Sequence, residues 1–549
     1  MVAKRKRDNA AEAESVDKST ATKKTKQPSS TAASTTKTAH HQTAPFKLSS
    51  YEGRPPTIQI IAGSYDRVLH GVTATIDLPA APAPKPTKSK KSKTDVAADA
   101  ANDGAASKPT ASFADTFLFN AHASSIRCLA LSPPSLPTKQ QPSQKILLAT
   151  GATDERINIY NLSAHPPSAR TADGQRLLSA VTPRPVLENP KNRELGTLLH
   201  HSSNITRLVF PNRSKLLSAA EDSTIAVSRT RDWAVLHSFK CPIPKAQGRP
   251  SGDTAGLNGA PSGVNDFAVH PSNKIMISVS KGERCMRLWN LETGKKSRVL
   301  NFDKGNLIEI GETRHSTGEA RRIIWGTSKG GEDEFAVAFD RDVLVFGMDC
   351  RPRCRLMRDV PGPKTKVHQI RYVNIGGEED SETVLAVSTE DGRVLFFSTD
   401  KDTLVPAKEK EAEKEEAEPK KKSKVPSSPA LACARFVGQL GGKDAGVTGR
   451  IKDFTVLPVE DEQGERSWFV VTGSSDGRLR VWRVGGKELT AEKGREGKQM
   501  GQLLGTYETQ NRITCVEAFV MIPRPDGAEE SEFEFDSESG SDDDEDDSE

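Results

Sequence analysis

The sequence predicts an all-β fold, a seven-bladed β-propeller, on three observations: a hairpin pattern that recurs seven times, an apolar strand pattern that also recurs seven times, and an offset between the two series. The fullest hairpin is 467–484, SWFVVTGSSDGRLRVWRV. It reads as strands Trp468–Thr472 and Arg478–Trp482 around a Ser-Ser-Asp-Gly turn, whose Gly accepts the positive φ of a tight hairpin. Asp476 follows Thr472 by four residues and precedes Trp482 by six. The same register places Asp66 between Ala62 and Val72, Asp154 between Thr150 and Tyr160, and Asp222 between Ser218 and Ser228. It also places Asp340 between Ala336 and Phe346, and Asp391 between Val387 and Phe397. Segment 275–289 fits with one extra residue, carrying Ser278, Trp289 and a Gly282-Glu283 turn in place of the Asp. Each turn Asp is expected to be buried and to tie its turn to neighbouring strands by hydrogen bonds.

The second pattern is an apolar residue, two mostly polar positions, an apolar residue, one position and an apolar residue. It occurs at Ile126-Leu129-Leu131, Ile205-Leu208-Phe210, Val264-Phe267-Val269, Ala320-Ile323-Trp325, Val367-Ile370-Tyr372, Ile451-Phe454-Val456 and Ile513-Val516-Ala518. These are expected to be the innermost strands, preceded in places by a histidine, as at His122 and His201. The first hairpin lies near the N-terminus and the last inner strand near the C-terminus. One blade therefore takes its inner strand from about 512–522 and its outer strands from about 57–78, which closes the ring without a covalent link and removes open edges. The propeller is expected over 51–522, with disordered insertions at about 79–112, 164–193, 241–262 and 401–429, stretches rich in Pro, Gly, Ala or charge.

Composition separates the remainder. Of the 549 residues, 35% are apolar and 28% charged, less core than the length would hold. Residues 1–50 are expected to be a disordered basic tail and 523–549 a disordered acidic one. Residues 1–45 carry nine Lys/Arg and four acids, and 526–549 carry fourteen acids and no base, so the net charge of +4 conceals a strongly basic middle. Lys4, Arg5, Lys6 and Arg7 form a basic cluster of the nuclear-localisation type. No apolar run reaches membrane-spanning length and the N-terminus lacks the apolar stretch of a secretory signal, so a soluble intracellular protein with no membrane partner is expected. The seven cysteines are scattered, with only Cys350 and Cys354 close together, and reduced thiols are expected rather than a metal site.

Catalytic motifs are sparse. No Walker or dinucleotide glycine pattern stands in a strand-to-helix context, so no nucleotide cofactor is expected. Gly326-Thr327-Ser328-Lys329-Gly330 fits G-x-S-x-G, but GGEDE leads into a further strand where a nucleophile elbow needs a helix. The reading is a non-enzyme with no catalytic, cofactor or metal residues.

A binding surface is legible instead. The positions flanking the first apolar residue of each inner strand are expected to open onto one face around the channel. Arg127, Arg207, Arg321, Arg322, Lys366, Arg450, Lys452 and Arg512 occupy them in six of seven blades. Such a rim suits phosphate or an acidic segment, since clustered cations gain affinity by releasing counterions; the alternative is ordinary solvated surface.

The Thr, Asp and Trp spacing is that of a WD-repeat blade. IIAGSYDRVLHGV, FNAHASSIRCLALSP with LLATGATDERINIYNL, and NDFAVHPSNKIMISVSKGERCMRLWNLETGK resemble one WD-repeat family over about 57–522. It comprises the Mak-type large-ribosomal-subunit assembly factors of fungi and the animal PAK-interacting proteins. The resemblance implies a scaffold in nucleus and nucleolus, needed for maturation of the large (60S) subunit and its pre-rRNA, that binds a ribosomal or ribosomal-like protein of the pre-60S particle, with rRNA contact as a further expectation. The alternative it implies is an adaptor that binds and inhibits a p21-activated protein kinase.

Overall fold

The structure, a computed structural model, describes residues 45–51, 54–78, 109–138, 142–167, 184–243, 262–312, 316–376, 382–406, 431–461, 463–490 and 498–524. Seven sheets, each built on four antiparallel strands, form a ring, the seven-bladed propeller that the repeats predict. Blade 1 runs, from the centre outward, Ile513–Val520, Thr57–Ser64, Val68–Asp77 and Thr110–Asn120. Blades 2 to 7 follow in chain order, with inner strands Ile126–Leu131, Ile205–Asn212, Val264–Val269, Arg322–Thr327, Val367–Asn374 and Ile451–Glu460. Each inner strand packs against the next, and Ile513–Val520 completes the circle between blades 7 and 2.

The periodicity explains why single sheets suffice. Middle strands such as Thr57–Ser64 and Ile157–Ser163 are buried along their whole length because neighbouring blades cover both faces. Seven apolar clusters result, one at each blade interface. Trp468 and Trp482 pack with Phe396 and Phe454 between blades 6 and 7, and Ile58, Ile60 and Val72 pack with Phe469 and Val481 between blades 7 and 1. No blade has a core of its own, so stability is shared between neighbours.

Closure is by the strand predicted for it. Ile58 to Ser64 pair antiparallel with Val520 back to Ile513. The junction is pinned at both ends: Tyr65 N–H donates to the Arg512 carbonyl at 2.8 Å, and Met521 N–H to the Thr57 carbonyl at 2.8 Å. The buried Tyr51 hydroxyl donates to the Met521 carbonyl. Beyond the strand, Ile522 N–H donates to Ala164 at 2.8 Å and Arg524 to Pro166 at 3.0 Å, fastening the segment to blade 2.

Five of the seven hairpin turns share one conformation. The residue after the turn Asp is left-handed at Arg67, Glu155, Ser223, Gly392 and Gly477, with φ between 63° and 83°. Asp340 does not follow this rule, since Arg341 has no positive φ. The acid that ties the blade 5 hairpin is Asp342, 1% exposed, which accepts from the backbone of Val343 and Met357 at 2.9 Å each and from Arg355 at 2.9 Å. The repeat register points to the wrong member of the Asp-Arg-Asp triplet. Of the other five turn acids, Asp66 and Asp476 are exposed and Asp154, Asp222 and Asp391 partly exposed rather than buried, because the turns sit at the surface.

The stretches read as insertions are partly structured where the structure describes them. Residues 110–112 begin the outer strand of blade 1, and Arg193 begins that of blade 2. Three connections between a third and a fourth strand also reach back to the preceding blade. Val186 bridges Asp115 in parallel, Ala432–Cys433 adds a parallel strand to Pro352–Arg355, and Lys498–Gln499 adds one to Arg435–Gly441. Each covers backbone groups that an outer strand would leave open. Most of 79–112, 164–193, 241–262 and 401–429, and both tails apart from 45–51 and 523–524, lie outside the described residues.

Candidate docking face at the channel mouth

Inner strands run away from the channel mouth, so the residues at their first positions converge there. The eight cations come from blades 1, 2, 3, 5, 6 and 7, and their environments differ. Arg321 pairs with Asp340 at 2.9 Å, and Lys366 stands 3.9 Å from the same carboxylate. Arg450 pairs with Glu390 at 3.2 Å and Arg207 with the buried Asp266 at 3.2 Å. Arg127, Arg322, Lys452 and Arg512 have no carboxylate within ion-pair distance among the described residues. Arg512 lies over the exposed Tyr65 ring, 5.4 Å from its centroid.

At the centre of this group is His368, a residue outside the eight cations that the strand pattern singles out. Lys452 Nζ lies 3.4 Å from His368 Nε2, and Arg322 Nε donates to the His368 carbonyl at 3.3 Å. Burial first, then the charges of Lys452, Arg322, Arg450 and Arg321, push the imidazole down to about 4. Burial and Arg450 likewise hold Lys452 below the usual lysine range. His368 is therefore neutral at pH 7, and the mouth carries unneutralised positive charge.

Further along the inner strands the charges are balanced. Arg371 Nη2 meets Glu517 Oε1 at 2.6 Å across blades 6 and 1, with Asp453 at 3.8 Å. Asp453 accepts the N–H of Val516 from the next blade at 3.1 Å, and Asp266 accepts that of Ile323 at 3.1 Å. These acids join blade to blade. An Asp two residues after the first apolar position in 264–267 and 451–454 is the sequence signal that would have found them.

The turn acids act locally. Asp154 accepts from His122 Nδ1 at 3.1 Å while His122 Nε2 meets Thr150 Oγ1 at 2.7 Å. Asp222, His201 and Ser218 repeat this, with contacts of 3.1 and 2.8 Å. Asp66 accepts from Arg512 N–H at 3.1 Å, Asp391 from Arg393 Nε at 2.7 Å, and Asp476 from Arg478 N–H at 3.2 Å. In blade 4, Glu283 takes the place of the Asp and pairs with the buried Arg287. Ser328 of the G-x-S-x-G string donates to the Glu332 carbonyl at 3.3 Å in a hairpin turn, and the next strand follows directly. Lys4 to Arg7 lie outside the described residues.

Seven sheets in a ring closed by the last inner strand, with His-Asp-Ser/Thr contacts under the turns of blades 2 and 3, define a WD-repeat β-propeller. The family model "WD domain, G-beta repeat" matches residues 192–227, the outer strand of blade 2 and most of the first three strands of blade 3. The chain is 27% identical over 424 residues to "Protein MAK11" of Saccharomyces cerevisiae, covering 74% of this chain and 75% of that one. It is 22% identical over 416 residues to "p21-activated protein kinase-interacting protein 1-like" of Xenopus laevis, covering 76% of each. These relatives are of the two kinds that the motif resemblance named. A solved chain described as "Structure of U3-55K" aligns with a TM-score of 0.39 and 13% identity over 72% of this chain and 85% of its own.

Proposed function

We propose that this protein is a non-enzymatic nucleolar scaffold in assembly of the large ribosomal subunit, docking a protein of the pre-60S particle on its channel mouth. The observation that carries the reading is the group Arg127, Arg322, Lys452 and Arg512, four cations from four blades with no carboxylate within ion-pair distance among the described residues. The other four rim cations each have a carboxylate within 4.0 Å, Arg321 and Lys366 sharing Asp340, so an acidic partner would gain most from these four. The family resemblance supplies the ribosomal context, and the basic cluster Lys4 to Arg7 supplies a route to the nucleus.

The test is sedimentation of the tagged protein on a sucrose gradient, wild type against Arg127→Glu, Arg322→Glu and Lys452→Glu combined. Co-migration with pre-60S particles, lost in the triple variant while circular dichroism is unchanged, is the expected result. Wild-type co-migration of the folded variant would move recognition to the tails, the insertions or the opposite face. A kinase-adaptor reading is favoured by the name of the vertebrate relative, and a free or kinase-bound pool absent from pre-60S fractions would select it.

A further inference from the structure

The arrangement around His368 is unfavourable as it stands. Lys452 Nζ lies 3.4 Å from Nε2 of the half-buried His368 and Arg322 Nε donates to the His368 carbonyl at 3.3 Å, neither cation has a carboxylate within ion-pair distance among the described residues, and Arg450, Arg321, Lys366 and Arg512 add positive charge around them. The nearby carboxylates Asp340 and Glu390 are engaged by Arg321, Lys366 and Arg450. Partly buried like charges raise the free energy of the fold, and such arrangements concentrate where a ligand supplies the missing counter-charge.

We propose that Arg322, Lys452 and His368 form a receptor for a phosphoryl dianion, presented on a phosphorylated serine or threonine side chain of a protein segment. The proposal rests on the docking reading above and specifies its ligand. A charge near −2 matches the two cations that lack a carboxylate partner, and the phosphoryl oxygens are acceptors for Arg322, for Lys452 and for a protonated His368. Recession favours a peptide over RNA. Lys452 and His368 are half-buried, so the anion must project inward, which a phosphorylated side chain does and a phosphodiester between two sugars does not. Single-stranded RNA would also need aromatic platforms, and the Tyr65 ring at this rim has one face occupied by Arg512.

The full-length protein is titrated with a fluorescent acidic peptide carrying one phosphoserine, with the same peptide unphosphorylated, and with a single-stranded RNA hexamer. The phosphopeptide is expected to bind at least about tenfold tighter than its unmodified form, since one charge-assisted hydrogen bond is worth about that factor. Arg322→Ala with Lys452→Ala should abolish the preference, with a melting temperature unchanged or raised because repulsion is relieved. Arg127→Ala should keep it. Inorganic sulfate, a dianion that does not titrate in this range, should bind more tightly, read directly by calorimetry without the peptide, as pH falls from about 7 to about 5, because binding it draws a proton onto His368; His368→Gln should make that profile flat.

Equal binding of the two peptides, or a preference that survives in the folded double variant, overturns the proposal. Tighter binding of the RNA through the same two residues also overturns it, in favour of a nucleic-acid surface. Pre-60S co-migration is read separately. A double variant that loses the phosphopeptide yet stays on the particle sinks this receptor as the docking contact and leaves the scaffold reading standing. Phosphopeptide binding by a wild-type protein absent from pre-60S fractions supports the receptor and sinks the scaffold reading.

Discussion

The backbone N–H of Arg512 donates to the carboxylate of Asp66 at 3.1 Å, a contact between residues 446 positions apart. It places the turn of the first hairpin at the start of the last inner strand, and the pairing of Ile58–Ser64 with Ile513–Val520 follows from that register. Ring closure and the channel mouth meet at this point, since Arg512 is also a rim cation.

Truncation tests closure directly. A cut after Thr509 spares the outer strand of blade 7, Gln502–Glu508. It removes the inner strand of blade 1 and exposes the apolar faces of Ile58, Ile60 and Ala62 to water. Loss of a cooperative melting transition is expected for this variant, and an unchanged melting temperature for removal of 526–549. A synthetic 510–524 peptide should restore the transition; calorimetry of the three samples decides.

The left-handed turn position predicts opposite effects of two substitutions. Glu155 has φ 68°, a strain that glycine lacks, so Glu155→Gly should stabilise by about 0.5–1 kcal/mol after the added chain entropy. At Gly477, φ 81°, an added Cβ would lie 2.9 Å from the Asn511 carbonyl oxygen. Gly477→Ala should cost about 1–2 kcal/mol, read by urea denaturation.

Acid stability should report Asp222. Burial alone would raise its carboxyl, but hydrogen bonds from His201 and Thr224 outweigh it and hold it at about 2. A depressed folded value gives stability that is complete above the unfolded value near 4 and is lost as pH falls toward 2. Asp222→Asn should remove about 1–2 kcal/mol from the stability difference between pH 6 and pH 2.5, the partial exposure of the site being included in that figure.

Arg371 and Glu517 predict a pair that is costly to break and cheap to replace. Glu517→Ala leaves the guanidinium facing only Asp453 at 3.8 Å, and about 2–4 kcal/mol should be lost. Arg371→Leu with Glu517→Leu should recover most of it, because no charge of the pair is then left in the inner strands at that point. A double-mutant cycle in guanidinium chloride measures both.

The repeats make the architecture legible because strand alternation and turn chemistry are local. Asp66, Asp154, Asp222, Asp391 and Asp476 stand in one register, and the seven inner strands share another. The same register points to Asp340 in error because Asp342 has the same chemistry two residues on, and the contacts from Arg355 of the outer strand and from Met357 just beyond it are what distinguish them. The two-residue strands Ala432–Cys433 and Lys498–Gln499 are too short to carry a period. At the mouth, inner-strand positions alone place the cations. They do not reveal which cations are neutralised, because Asp340 and Glu390 lie in the connections between strands. His368 acquires its character only from neighbours on other blades.

A ring fastened by its last strand also fixes an order of events during synthesis. Thr57–Ser64 leaves the ribosome early, with its inner edge lacking the partner that Ile513–Val520 will supply. At about 5–20 residues per second, the 446 residues from Asp66 to Arg512 take roughly 20–90 s to appear. For that interval the nascent chain presents an unpaired β edge and the apolar side chains that flank it. Chaperone occupancy on polysomes should therefore persist until the last codons of the closing strand are read, however early the first six inner strands are complete.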